Sequence, residues 1–242
     1  MKNILCLFAF VLPAVVALAQ EEPKPEKKKK PPVDMSNRPH DHFLIQFGYT
    51  GWAGIPDTIN KKGFSKSFNV YFLFDFPFKT NPKLSIAAGL GISSDHILFA
   101  DTRVGIKDQT AAIPFANVSD TDHYQKTKLA TTYLEAPIEL RFSSDPLSGK
   151  GIKAAVGIKV GTMLNAHTRN VKYENKSGNS LGDHVLKESS KKFFNRNRLC
   201  LTARAGYSYF SLFGSYQVTT LFKDGEGPVA RPFTVGITLS GL

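Results

Sequence analysis

Histidine directly after aspartate is the feature of this sequence with the clearest potential for chemistry. A carboxylate and an imidazole together can hold zinc or another divalent ion, or act as the acid–base pair of a surface hydrolase. The dipeptide occurs at Asp41-His42, Asp95-His96, Asp122-His123 and Asp183-His184. The sequence does not show whether these pairs converge. Ordinary polar loop composition is therefore the preferred interpretation, and no metal site or cofactor is predicted.

Two candidate nucleophiles, a serine and a cysteine, lack the surroundings that catalysis needs. The segment 178–182, Gly-Asn-Ser-Leu-Gly, fits the Gly-x-Ser-x-Gly pattern. That pattern is catalytic where a tight strand-to-helix turn exposes the serine, but here it lies in a polar stretch with no predicted helix after it. Cys200 is predicted to be a small packed residue, because alternation along its strand points it toward the barrel interior. Both observations favour a protein that is not an enzyme.

Four charged residues in the middle of the chain are predicted to face one another. Glu135 and Glu139 lie on one face of a predicted strand, and Lys153 and Lys159 point the same way from the next strand. Neighbouring antiparallel strands bring such side chains within pairing distance, and charges in a narrow interior need a partner. An ion path or a proton-linked gate is one interpretation. A structural set of salt bridges that fills the interior is the favoured one.

The elements that position these residues are strands, because apolar side chains recur at every second position. No stretch shows a helical period of comparable length. Eight predicted strands cover residues 43–50, 68–78, 84–93, 133–142, 152–161, 198–207, 210–222 and 233–240. Long and short connections alternate between them, which is typical of outer-membrane barrels with long outer loops and short periplasmic turns. The sequence therefore predicts an all-β, antiparallel, up-and-down transmembrane β-barrel of about eight strands.

The two faces of the predicted strands differ in a way that indicates which one meets lipid. One face is bulky, aromatic and uncharged, whereas the other is small and polar, as suits a narrow interior. The charged residues of the second face are Asp75, Glu135, Glu139, Arg141, Lys153, Lys159 and Arg204. Two aromatic girdles are predicted: Tyr49 and Phe222 at the loop end, and Phe76, Phe78, Phe142, Tyr207 and Tyr209 at the turn end. The alternative is a soluble periplasmic ligand-binding barrel with its apolar face inside.

Two segments before the barrel have their own composition. Residues 1–19 combine a short charged start, an apolar run and Ala17-Leu18-Ala19, which predicts a cleaved signal peptide. Residues 20–40 are rich in proline and lysine, which predicts a disordered periplasmic segment. The barrel is predicted to occupy residues 41–242.

A nine-residue motif adds a family resemblance. Residues 132–140 read Thr-Tyr-Leu-Glu-Ala-Pro-Ile-Glu-Leu. They resemble the Tyr-Leu-Glu-x-Pro-Leu segment of a Bacteroidota outer-membrane β-barrel family that includes PorT-like proteins. The resemblance extends over about residues 43–242. It implies an eight-stranded barrel with no assigned activity for most members, and a role in protein secretion or gliding for a few.

The charge of the chain bears on its partners. It carries 31 Lys and Arg against 20 Asp and Glu, a net charge of +11. Because the chain is predicted to be exported, lipid phosphates and lipopolysaccharide, and no nucleic acid, are the expected anionic neighbours. A protein partner is expected at the basic segment Glu21 to Pro32 or at the long loops near Asn117 and Asn175.

The preferred hypothesis is a non-enzymatic structural or accessory-complex protein. The alternatives are an outer-face enzyme or metal site using His96, His123 or His184, and an accessory component of protein secretion.

Overall fold

The computed structural model describes residues 42–56, 59 and 63–241. The predicted signal peptide and the Pro/Lys-rich segment lie outside these residues, as does Asp41. Within the described part of the chain, no helix is long and apolar enough to cross a membrane. The described residues form eleven strands: β1 (Phe43–Ala53), β2 (Lys66–Pro77), β3 (Leu84–Phe99), β4 (Thr102–Val104), β5 (Phe115–Asn117), β6 (His123–Ser143), β7 (Ile152–Glu174), β8 (Ser180–Ser189), β9 (Asn197–Tyr207), β10 (Phe210–Gln217) and β11 (Arg231–Ser240).

Eight of these strands form a closed antiparallel ring. The strands follow one another in the order β1, β2, β3, β6, β7, β9, β10 and β11, and β11 pairs with β1 to complete the ring. The prediction of an eight-stranded up-and-down barrel is therefore confirmed. Closure leaves no unpaired strand edge within the ring, which is the condition for crossing a hydrocarbon layer with strands.

Three strands, β4, β5 and β8, were not predicted, and they belong to the long connections. Strands β4 and β5 pair with each other as a separate hairpin between β3 and β6. Strand β8 pairs with the last part of β7, beyond the point where β7 pairs with β9. This is possible because β6 and β7, with 21 and 23 residues, are about twice as long as a membrane-spanning strand needs to be.

The predicted short turns connect the strands at the end of the barrel opposite to the long connections. Ser208 and Tyr209 alone join β9 to β10, and residues 144–151 join β6 to β7. In the second turn, Asp145 accepts hydrogen bonds from the Ser148 hydroxyl at 2.5 Å and from the backbone N–H groups of Ser148 and Leu147 at 3.2 Å. These donors stabilise the carboxylate and hold the pKa of Asp145 below its ordinary value.

The outer surface of the ring carries the apolar face, as predicted. Large apolar side chains are exposed on every strand of the ring, for example Phe74 at 52 %, Leu90 at 61 % and Leu212 at 69 %. The charged side chains of the other face are buried inside. A soluble barrel would place these two faces the other way round, so the soluble periplasmic alternative is wrong.

Glycine on the inner face makes room for large interior side chains. A Cβ at Gly91 would lie 2.3 Å from a ring carbon of Tyr71, and one at Gly89 would lie 1.9 Å from the backbone oxygen of Phe72. No side chain larger than hydrogen fits at these two positions. The small residues of the inner face are therefore needed for the close approach of β2 and β3 around the buried Tyr71.

Candidate functional site

The interior of the barrel contains several buried charged side chains, and Glu135 is one of them. Glu135 accepts hydrogen bonds from Arg198 at 2.7 Å and from the Tyr71 hydroxyl at 2.5 Å, and Lys159 Nζ lies 3.8 Å away. Lys159 also donates to the Tyr71 oxygen at 3.2 Å. The predicted pairing of a glutamate on β6 with a lysine on β7 is thus confirmed for Glu135 and Lys159.

Arg198, on β9, connects Glu135 on β6 to the neighbouring strand β3. Its guanidinium donates to Asp95 at 2.8 Å and to Ser93 at 2.7 Å. It also lies 3.7 Å from the ring centre of Tyr133, a cation–π contact. Glu135, Lys159, Tyr71, Arg198 and Asp95 form what we call the upper ionic cluster. The cluster joins β2, β3, β6, β7 and β9 across the lumen.

A second group, the lower ionic cluster, lies nearer the short turns. Glu139 accepts hydrogen bonds from Arg141 at 3.0 Å and from Arg204 at 3.1 Å. Arg141 also lies 3.8 Å from Asp75, which accepts a hydrogen bond from Ser85 at 2.7 Å. Two arginines, Arg141 and Arg204, are therefore partners of Glu139, a pairing that the sequence did not predict. Lys153 is buried in the lumen, as expected.

The proline of the sequence motif has a structural role between the two glutamates. Pro137 is paired with Lys159 on β7, but the pairing of β6 with β3 skips from Glu135 to Ile138. A proline has no N–H to give to a ladder, so this interruption falls where it is expected. Glu135 and Glu139 lie on either side of Pro137 and both project inward, one into each ionic cluster.

The loop end of the lumen is apolar, which the sequence did not predict. Its residues come from strand ends and from the long connections. We call this group the outer apolar core; it comprises Trp52, Ile59, Ile97, Phe99, Val104, Ile106, Ile113, Leu129, Tyr133, Met163, Ala166, Phe193, Phe194, Leu221, Phe222 and Ala230. The core lies above the upper ionic cluster and fills the mouth of the barrel.

Phe222 is the clearest correction to the sequence prediction. Strand β10 ends at Gln217, and Phe222 is 1 % exposed inside the outer apolar core. Its ring lies 5.1 Å from Phe194 and 5.7 Å from Trp52. The prediction that Phe222 belongs to a lipid-facing girdle is wrong, because the chain turns inward after β10. The other aromatic residue predicted at the loop end, Tyr49, is exposed and contacts Phe64 at 5.6 Å.

The described residues enclose a small cavity between these groups. A cavity lined by Asp95, Lys159, Arg198 and Cys200, among others, has a volume of about 10 Å³, which is room for about one water molecule. Cys200 is 4 % exposed and faces the lumen, as predicted. Two ionic clusters and an apolar core thus follow one another along the described part of the lumen.

The described residues of the four Asp-His dipeptides lie in separate surroundings. Asp95 and His96 are neighbours in strand β3, so their side chains point to opposite faces; Asp95 binds Arg198, whereas His96 contacts Ser94 at 3.0 Å. His42 bonds to the carbonyl of Leu73 at the turn end. His184 is exposed on β8.

His123 is the exception, although its partner is not the adjacent Asp122. The imidazole is 7 % exposed, and its Nε2 lies 3.4 Å from Asp101 Oδ1 and 3.5 Å from Glu174 Oε1. The three residues come from the β3–β4 connection, the start of β6 and the end of β7. Their spacing of 22 and 51 residues along the chain gave no signal in the sequence. The pairing of His123 with Glu174 in the β6–β7 ladder brings them together.

The Gly-x-Ser-x-Gly segment is part of a β-hairpin. Gly178 has a φ of 80° in the turn between β7 and β8, and Ser180 is the first residue of β8. A strand follows the serine, where a nucleophile elbow requires a helix. The segment therefore lacks the structure that would make the pattern catalytic.

The closed antiparallel ring, the apolar exterior and the charged interior together define an outer-membrane β-barrel protein. The family model of the outer membrane protein beta-barrel domain matches residues 40–222, and the chain belongs to that family. The protein is accordingly located in the outer membrane.

Two solved structures similar to this chain are both of Ail, the attachment invasion locus protein of Yersinia pestis. One, in complex with the heparin analogue sucrose octasulfate, is 10 % identical, has a TM-score of 0.36 and covers 83 % of this chain and 96 % of its own. The other is 12 % identical, has a TM-score of 0.37 and covers 84 % of this chain and 97 % of its own. No curated protein sequence matches the chain.

Proposed function

We propose that this protein is a non-conducting, non-enzymatic barrel that acts as a structural or accessory-complex protein of the outer membrane. The observation that carries the proposal is the filled interior. A pore needs a continuous aqueous path, whereas here the lumen holds two ionic clusters and an apolar core in series. The working surface is then the outer end of the barrel. Its long connections expose apolar side chains such as Val185 and Leu186 on β8, which are available to a protein partner.

The candidate nucleophiles support the non-enzymatic part of the proposal. Cys200 is enclosed in the lumen, and Ser180 begins a hairpin strand.

The family branch is also part of the proposal. The motif around Pro137 places its two glutamates in the ionic clusters, which is consistent with membership of the PorT-like Bacteroidota barrels. An accessory role in protein secretion is the corresponding alternative.

We expect the purified protein to show no ion conductance in planar lipid bilayers. Folding is confirmed separately by the change in gel mobility on boiling, so that unfolded protein does not count as a closed barrel. A general porin inserted in the same membranes is the positive control. Stable, single-channel current steps from the folded protein would contradict a closed lumen and would show that the protein is a channel.

The outward face of the long strands carries a row of basic side chains that fits an anionic lipid. Lys128 on β6 lies opposite Arg169 on β7, which lies opposite Lys187 on β8. Like charges placed directly opposite each other are destabilising, and a bridging phosphate offsets that repulsion. The row lies beyond the roughly ten residues of each strand that span the hydrocarbon. We therefore propose that it contacts the phosphates of lipopolysaccharide.

We expect lipopolysaccharide to raise the temperature at which the folded band is lost in semi-native gels. Changing all three basic residues to glutamine should remove most of that increase, because the phosphates lose their partners. The matched control is the glutamine variant of Lys79, Lys83 and Lys150, which removes the same charge from the turn end. An equal loss in both triple variants would indicate only a general charge effect and would contradict a specific contact.

A further inference from the structure

The group formed by Asp101, His123 and Glu174 has the composition of a metal site. Each residue offers one ligand atom, and the three atoms lie within 4.8 Å of one another. One imidazole and two carboxylates are a ligand set that zinc and related divalent transition metal ions accept. We propose that these three residues bind one such ion, with Zn²⁺ as the preferred species, at the loop end of the barrel.

The hydrogen bond on the far side of the imidazole leaves Nε2 ready to bind a metal. His123 Nδ1 lies 2.7 Å from the backbone oxygen of Thr121. A carbonyl oxygen only accepts, so Nδ1 carries a proton, and the lone pair that a metal binds is at Nε2. This arrangement, with a carbonyl holding the other ring nitrogen, is the usual support of a metal-binding histidine.

The Nε2 atom of His123 donates and accepts no hydrogen bond among the described residues. It is buried and has no hydrogen-bond partner within the described residues, although it faces two carboxylate oxygens. A buried polar atom without a partner is destabilising. A cation between Nε2 and the two carboxylates satisfies all three groups and neutralises two negative charges.

The two distances from Nε2 to the carboxylate oxygens fit a tetrahedral ion. Ligands bonded at about 2.0–2.1 Å to a tetrahedral zinc are about 3.3–3.4 Å from one another. The Nε2 to Oδ1 and Nε2 to Oε1 distances are 3.4 and 3.5 Å. Three protein ligands leave a fourth position, which water or another small ligand takes at a site of this kind.

A cavity next to the site provides room for that fourth ligand. It has a volume of about 210 Å³ and is lined by His123, Arg103 and Asn170, among others. The Asn170 side-chain oxygen is buried and has no hydrogen-bond partner within the described residues, so it is available to accept one from a molecule in the cavity. The Arg103 guanidinium pairs with Asp108 through two bonds of 2.8 Å. These bonds raise the pKa of Arg103 and reduce the repulsion that its charge exerts on a cation.

Metal binding would join three segments of the outer end. Asp101 has a φ of 49° at the entry to the β4–β5 hairpin, whereas His123 and Glu174 begin and end the two longest strands. An ion shared among them attaches the hairpin to the β6–β7 ladder. The site does not depend on whether the lumen conducts or on whether lipopolysaccharide binds.

The test is zinc binding by the full, folded chain in detergent after treatment with a chelator. We expect one Zn²⁺ per chain by elemental analysis after dialysis, and a tetrahedral absorption spectrum when Co²⁺ is the probe. His123→Ala and, separately, Glu174→Gln should each weaken zinc binding by more than the roughly 10- to 100-fold that loss of a residue supporting a ligand costs, because each removes a ligand itself. His184→Ala, at an exposed histidine on β8, is the matched control and should bind zinc as the original chain does.

Two results would overturn the proposal. In the first, the folded chain takes up less than one zinc at micromolar free metal, as expected if His123 is instead a protonated imidazole between two carboxylates. In the second, zinc binds equally well to the His123→Ala and His184→Ala variants, which places the ion elsewhere. Folding of each variant is checked by heat-dependent gel mobility, and Glu174→Gln serves as the test if His123→Ala does not fold.

Discussion

Replacing Glu135 with glutamine is expected to lower the free energy of unfolding by about 3–5 kcal/mol, the usual cost of breaking a buried ion pair from one side. The neutral side chain leaves Arg198 with Asp95 as its remaining carboxylate partner and leaves Lys159 beside an uncharged group. The measurement is urea unfolding of the protein in phospholipid vesicles. The fluorescence of Trp52, the one tryptophan of the chain, reports the transition.

The control for this variant is a glutamate in an exposed ion pair. Glu226 lies 3.2 Å from Lys223, and both side chains are substantially exposed. Because water screens such a pair, Glu226→Gln should cost less than about 1 kcal/mol. In a double-mutant cycle, Glu135→Gln combined with Arg198→Met should cost less than the sum of the single changes, since both break the same pair. Equal effects of the Glu135 and Glu226 changes would show that the upper ionic cluster does not hold the barrel together.

The second large effect is expected for Phe222→Ala, which removes an aromatic ring from the outer apolar core. The ring lies against Trp52, Phe115 and Phe194, with centres 5.7, 5.9 and 5.1 Å away. Truncation of a buried phenylalanine costs about 3–5 kcal/mol. Water entering the space should also shift the emission of Trp52 to longer wavelength, and both changes are read from the same unfolding experiment.

Phe64→Ala is the matched control for this variant. Phe64 is 57 % exposed in the connection between β1 and β2, so its removal leaves no enclosed cavity. We expect a cost below about 1 kcal/mol and no shift of the Trp52 emission. If Phe222→Ala behaved in the same way as Phe64→Ala, the barrel mouth would be open and the outer apolar core would not be packed.

The inward or outward direction of most strand residues could be predicted from the sequence, because side chains alternate strictly along a strand. Asp75, Glu135, Glu139, Arg141, Lys153, Lys159 and Arg204 were predicted to be inside, and the structure buries all of them. The exposed rings of β2 follow from the same rule. No knowledge of the neighbouring strands was needed, since the alternation belongs to each strand by itself.

Which interior charges meet could be predicted only in part. The pairing of Glu135 with Lys159 links adjacent strands and was within reach of the sequence. The contact of Arg198 with Asp95 spans 103 residues and crosses the lumen. It depends on how far each strand is displaced along its neighbour around the whole ring, which no short pattern records. Asp95 was interpreted as half of an Asp-His dipeptide for this reason.

The outer end of the barrel separates most clearly what the sequence predicts from what only the tertiary structure decides. The sequence by itself determined that the chain forms an outer-membrane barrel with an apolar exterior, because period two and face composition are local properties of each strand. The tertiary structure alone decided that Phe222 turns into the mouth of the barrel and that His123 meets Asp101 and Glu174. Those contacts depend on how the long connections fold back over the ring. Their burial energy comes from residues far apart in the chain, so it leaves no periodic trace in the sequence.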